Sequence, residues 1–257
     1  MNGKIFLFAA VLLLGITSCH KPEADLAFRF SFSVGDEALR QDSVCYVNAA
    51  GNHFSVTEVQ FFISKVTLVG TDGTQYALLT DEGIHYVDAD IPSTLIWQLS
   101  DDHLPAGRYD RIDFVFGLAP EYNITHHFVN PPENSMSWPE ALGGGYHHLK
   151  LNGFWLGSEQ QLKPFNMHLG TGQSYDGEGG ITGFIDNAFK VTIPLEDVVL
   201  EGNTTTRLKL NMDITQWFEN PNLVNLDVIG GSIMQNQAAQ EMLVENGKTV
   251  FSACLSD

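Results

Sequence analysis

Along most of the chain apolar and polar side chains alternate one by one. Phe28, Phe30, Phe32 and Val34 are separated by Arg29, Ser31 and Ser33, a period of two that turns one face of a strand to a core and the other to water. The same period predicts strands over Val59–Val69, Gln75–Leu79, Arg111–Gly117, Tyr146–Leu156, Phe165–Leu169, Phe189–Leu195 and Arg207–Ile214. Thr71-Asp72-Gly73-Thr74 and Leu104-Pro105-Ala106-Gly107 read as turns between them. Helical spacing predicts helices only over Thr215–Glu219 and Ile233–Glu245, the second with Ala238, Ala239, Met242 and Leu243 as its apolar stripe. Many short strands punctuated by Gly, Pro and Asn predict an all-β fold, an antiparallel β-sandwich of Greek-key-like character with a short C-terminal helix.

One stretch breaks the alternation. From Leu118 to Gly145 no strand is predicted, and the segment is rich in Pro, Gly, aromatic and His residues. Loops of that length in a compact domain are functional or disordered, and an aromatic composition argues for the first. Gly170–Gly183, with Asp176 and Glu178 among glycines, reads as a flexible surface loop; its spacing is not that of a calcium-binding EF-hand.

The N-terminus follows a different logic. Lys4 precedes an apolar run from Ile5 to Ile16, about 12 residues, too short to span a hydrocarbon core of about 30 Å. The run ends in Ile16-Thr17-Ser18-Cys19, the pattern of a lipoprotein signal peptide cleaved before a cysteine that receives lipid. Residues 1–18 are thus expected to be removed, with Cys19 as lipid anchor and 19–25 as a polar tether, leaving one β domain over 26–257. The expected location is the cell envelope, the chain attached to the outer membrane by lipid alone.

Composition excludes some partners. The chain carries 13 Lys and Arg against 31 Asp and Glu, a net charge of −18, which repels nucleic acid and anionic lipid. Besides Cys19 only Cys45 and Cys254 remain. In an oxidising compartment that even pair points to a disulfide.

Chemistry concentrates in histidines. Of nine, His53, His85 and His103 are scattered and read as surface residues, whereas His126, His127, His147, His148 and His168 cluster in the long loop and the two strands after it. Neighbours in a strand face opposite ways, so at most one of His147 and His148 serves a given site. If the strands from Tyr146 and Phe165 form a hairpin, that one approaches His168, and the loop can fold over with His126 or His127. Imidazoles without thiolates suit copper, zinc or nickel, and copper has the highest intrinsic affinity. The sequence has no HExxH, Gly-x-Ser-x-Gly or phosphate-loop pattern, so a binding protein is expected and not an enzyme. The competing expectation is a surface lipoprotein that binds a glycan or protein through the 118–145 loop.

Gly117-Leu118-Ala119-Pro120-Glu121, Met136-Ser137-Trp138-Pro139-Glu140, Gly143-Gly144-Gly145-Tyr146-His147 and Phe165-Asn166-Met167-His168-Leu169-Gly170 follow one another in order. In these segments the chain resembles the MbnP-like family, whose members include proteins encoded beside methanobactin genes and copper-repressed surface proteins of methanotrophs. The lipobox-bearing members from Bacteroidetes look most similar. The resemblance runs from about Phe28 to the end and is dense from Gly117 to Gly170. It implies an all-β fold and a mononuclear copper site with histidine ligands: His168 by its His-Leu-Gly motif, His147 after the Gly-Tyr pair, and His126 or His127 next. It also implies a tryptophan near the copper that a di-haem peroxidase-like partner oxidises to kynurenine, with Trp138 in the corresponding Met-x-Trp segment. The chain departs from the methanotroph members in one place: Asn123 is followed by Ile124 and Thr125, and the histidines come later.

Overall fold

The structure is a computed structural model that describes residues 22–256. The predicted signal peptide, the Cys19 anchor and most of the tether lie outside the described residues. Among the described residues no helix is long and apolar enough to cross a membrane.

The main strands are β1 (Glu23–Val34), β2 (His53–Gly70), β3 (Ile84–Asp88), β4 (Gly107–Phe116), β5 (Leu149–Leu156), β6 (Leu162–Leu169), β7 (Gly172–Tyr175), β8 (Ile181–Ile185), β9 (Phe189–Leu200), β10 (Thr205–Asp213) and β11 (Phe251–Leu255). Helices α1 (Gln216–Glu219), α2 (Leu226–Ile229) and α3 (Gln237–Gly247) lie between β10 and β11. One sheet has the order β11-β10-β1, and the other β6-β5-β2-β4-β9 with β3 also paired to β2. Each strand turns alternate side chains inward, as the pattern requires. Phe28 and Phe30 of β1, Phe61 and Ile63 of β2, Phe114 and Phe116 of β4, Leu149 and Leu151 of β5, Phe165, Met167 and Leu169 of β6, and Leu208 and Leu210 of β10 share the core. Trp217 and Phe218 of α1 and Leu243 of α3 close it. Helix α3 begins at Gln237 and not at Ile233, because the Asn236 side chain accepts the Ala239 N–H and caps it there.

Three expectations change. β1 and β10 run parallel, pairing Phe28 with Leu208 and Phe32 with Met212. The chain between them crosses the second sheet, so no hairpin turn imposes an antiparallel sense. The stretch read as a flexible loop at 170–183 holds the two-stranded ribbon β7–β8. At its tip the Asp176 carboxylate accepts the N–H groups of Glu178 and Gly180 at 2.9 and 2.7 Å, so it is spent on the turn. Cys45 and Cys254 do not form the predicted disulfide. Both thiols are free and exposed, Cys45 beside the short strand Tyr46–Val47 on the edge of the β2 sheet and Cys254 on β11 of the other sheet. Counting cysteines carried no information on that separation.

A second, smaller core lies on the opposite face of the β2 sheet. Phe62 and Tyr86 point away from the main core and pack with Ile84, Leu118, Met136 and Tyr146, with Tyr122 and Phe128 against them. The 118–145 segment therefore folds over the outside of this sheet as an ordered cover. Two short 3-10 turns, Glu133–Met136 and Glu140–Leu142, are its regular structure.

His85 is not the surface residue expected. Its ring stacks between Phe30 and Trp97, with centroids 5.2 and 4.9 Å away, and its Nε2 lies 2.8 Å from the Thr94 carbonyl oxygen. Burial lowers its pKa to about 4, against the opposing pull of the Thr94 carbonyl and Asp81. An unfolded chain takes up this proton near pH 6.5, the folded one only near pH 4. The stability contributed by the neutral ring is thus complete above about pH 6.5 and lost as pH falls to about 4. Urea unfolding between pH 7 and pH 4.5 is expected to show up to about 3 kcal/mol of loss from this residue. His85→Phe should flatten the slope by as much as about 1.4 kcal/mol per pH unit; an unchanged slope would show that the ring titrates freely in the folded state.

Candidate metal centre

The site is built on the outer face of the β2 sheet, under the 118–145 cover. β5 and β6 form the expected hairpin, with Lys150 opposite His168 and Leu149 opposite Leu169. Since Leu149 and Leu169 face the core, Lys150 and His168 face out. His147 precedes β5. Its backbone N–H donates to the Met136 carbonyl at 2.7 Å, which ties it to the cover. The backbone N–H of His148 donates instead to the Leu169 carbonyl. The two neighbours part as expected. His147 turns toward His168, while His148 is fully buried against Gly117, its Nδ1 accepting the Leu118 N–H at 3.3 Å.

The rings of His147 and His168 meet nearly edge to face, centroids 4.8 Å apart at 87°. Each has one nitrogen engaged. Nδ1 of His147 donates to the Met136 carbonyl at 2.8 Å, and Nε2 of His168 lies 2.9 Å from the Asn152 side-chain oxygen. The other nitrogens, Nε2 of His147 and Nδ1 of His168, are buried without a hydrogen-bond partner. Because carbonyl oxygens only accept, both bare nitrogens carry lone pairs, not protons. Burial holds both rings neutral: it lowers His147 to about 3 and His168 to about 4, and the Lys150 ammonium adds to each depression. Lys150 is itself lowered by desolvation, with Glu58 and Asp88 opposing, and its Nζ donates to the Ser135 carbonyl at 2.8 Å.

Trp138 completes the wall. Its ring lies 4.7 Å from that of His147 at 71°, and its Nε1 donates to the Leu142 carbonyl at 3.2 Å. Gly170 lies against its other side, where a Cβ would sit 2.4 Å from Trp138 Cε3. The Gly170 of the His-Leu-Gly motif thus makes room for the indole. Trp138 is 2% exposed, so it both packs the cover onto the sheet and borders the histidine pair.

The other two histidines are not brought in. His126 is exposed with Nε2 3.7 Å from Glu140 Oε1, and exposed His127 packs edge-on against Phe128 at 4.7 Å. Among the described residues no group of three or more His, Cys, Asp or Glu side chains could hold a metal. The expected third ligand from His126 or His127 is therefore absent from the pair. The cover is anchored through Met136, Trp138 and Tyr146, which directs its 126–127 segment outward. Asn152 and Lys150 escaped the sequence reading. Their signal was parity, since Lys150 lies opposite His168 and Asn152, two residues on, shares its strand face.

A model of the MbnP family matches residues 23–235. The chain belongs to the MbnP family. The match takes in all four segments between Gly117 and Gly170 that carried the resemblance and ends before α3 and β11. Among solved structures, MbnP from Methylosinus trichosporium aligns with a TM-score of 0.58 and 12% identity, over 91% of this chain and 99% of that one. At that identity the likeness speaks for a shared MbnP fold. No curated protein matches the sequence.

Proposed function

We propose that this member of the MbnP family is a lipid-anchored copper-binding protein of the cell envelope, acting in copper acquisition, storage or delivery and not as an enzyme. The observation that carries the reading is the pair of buried, bare imidazole nitrogens on rings 4.8 Å apart. A buried acceptor without a partner costs stability, about 1–3 kcal/mol each. A cation bound by both nitrogens would satisfy the two at once. Neutral imidazoles are donors for copper, and at physiological pH neither bare nitrogen has a proton to displace. Copper would supply a Lewis-acidic, redox-active centre next to Trp138, the residue that a di-haem peroxidase-like partner would oxidise.

The test is copper titration of the purified, metal-free chain followed by dialysis against a weak chelator. One equivalent retained per chain is the expected result. No retained copper would overturn the reading.

A further inference from the structure

We propose that Glu58 and Asn152 form a positioning relay that fixes the tautomer of His168 and leaves its Nδ1 bare. The inference rests on the copper reading only for what Nδ1 then binds. Asn152 lies directly opposite Glu58 of β2 on one side and Asn166 of β6 on the other, in the row next to Lys150 and His168. Its side-chain N–H donates to Glu58 Oε2, while its oxygen meets His168 Nε2 at 2.9 Å. Each link dictates the next. A carboxylate only accepts, so the amide must turn its NH2 toward Glu58. The amide oxygen then faces His168, and an oxygen requires Nε2 to be the protonated nitrogen. The bare Nδ1 follows from the carboxylate two residues away.

The backbone is shaped to allow this. The β2–β5 ladder slips immediately after the pair, Asn152 opposing Glu58 but Gly153 opposing Val56. Bulges of this kind re-aim side chains beside functional sites. Outer partners that fix a metal-binding imidazole are typically worth 10- to 100-fold in affinity. His147 reaches the same end by another route, through the Met136 carbonyl, which no side-chain substitution removes.

Long-range 1H–15N spectra of the metal-free chain report the protonated nitrogen of each imidazole, with His168→Gln to assign the signal. The expected result is His168 protonated at Nε2. Asn152→Leu keeps the branching at Cγ without the acceptor and should release the ring into a tautomer mixture, with copper affinity falling 10- to 100-fold. Should Asn152→Leu not fold, Glu58→Gln serves, since a glutamine no longer dictates the amide orientation. The paired exchange Glu58→Gln with Asn152→Asp restores an acceptor facing His168 and should return the wild-type tautomer. A wild-type His168 protonated at Nδ1, or a folded Asn152→Leu with an unchanged tautomer, would overturn the relay. Wild-type protein with the expected tautomer and no copper binding would support the relay and sink the copper reading instead.

Discussion

Replacing His147 with alanine is expected to weaken copper binding by roughly 100-fold or more, while His126→Ala and His127→Ala leave it within about twofold. An outer-shell partner is typically worth 10- to 100-fold, and His147→Ala would remove one of the two imidazole donors of the proposed site. His147 Nε2 is buried and bare, and its ring borders both His168 and Trp138. His126 and His127 are exposed and engaged elsewhere. The fold should survive His147→Ala, because the Met136 carbonyl keeps the backbone N–H of residue 147. Near-ultraviolet circular dichroism of Trp138 and its neighbours checks that point in the same samples. Equal losses from His126→Ala would place the metal under the loop tip, away from the β5–β6 hairpin.

The contrast between these histidines marks what could be read from sequence. Position on a strand is a matter of parity, and parity is local. From it came the inward rows of β1, β5, β6 and β10, the opposite facing of His147 and His148, and the approach of one of that pair to His168. Where a 28-residue cover lays each side chain is set by tertiary anchors, here Met136 and Trp138 within it and Tyr146 at its end, that no short-range pattern encodes. His126 and His127 were therefore assigned by family analogy and proximity in the chain, and the fold places them outward. The same limit applies to strand partners. Alternation predicts β1 and β10 but not that they lie side by side and parallel. The β7–β8 ribbon was missed because glycines dilute its pattern. The Cys45–Cys254 disulfide rested on an even count in an oxidising compartment, whereas Cys45 lies beside one sheet and Cys254 on the other.

Gly153→Ala should be the most damaging single-methyl substitution near the site, destabilising the fold by about 3 kcal/mol or more. A Cβ at this position would lie 1.9 Å from the Ser55 carbonyl oxygen and 2.7 Å from Phe165 Cζ. The first contact is backbone of the neighbouring strand β2, which the ladder holds on both sides of the bulge. It cannot yield as a flexible side chain would. The second is a core ring packed against Phe218. Relief requires β5 to move away from β2, and that carries Asn152 away from Glu58. Urea unfolding measures the first effect and copper titration of the surviving folded fraction the second, so stability and affinity are expected to fall together. Gly177→Ala on the β7–β8 turn is the control: its added methyl would meet nothing within 4 Å, and the expected change is within about 0.5 kcal/mol. If Gly153→Ala unfolded like the control, β5 and β2 would not be as closely apposed as the bulge demands, and the geometry that aligns Glu58, Asn152 and His168 would fail with it.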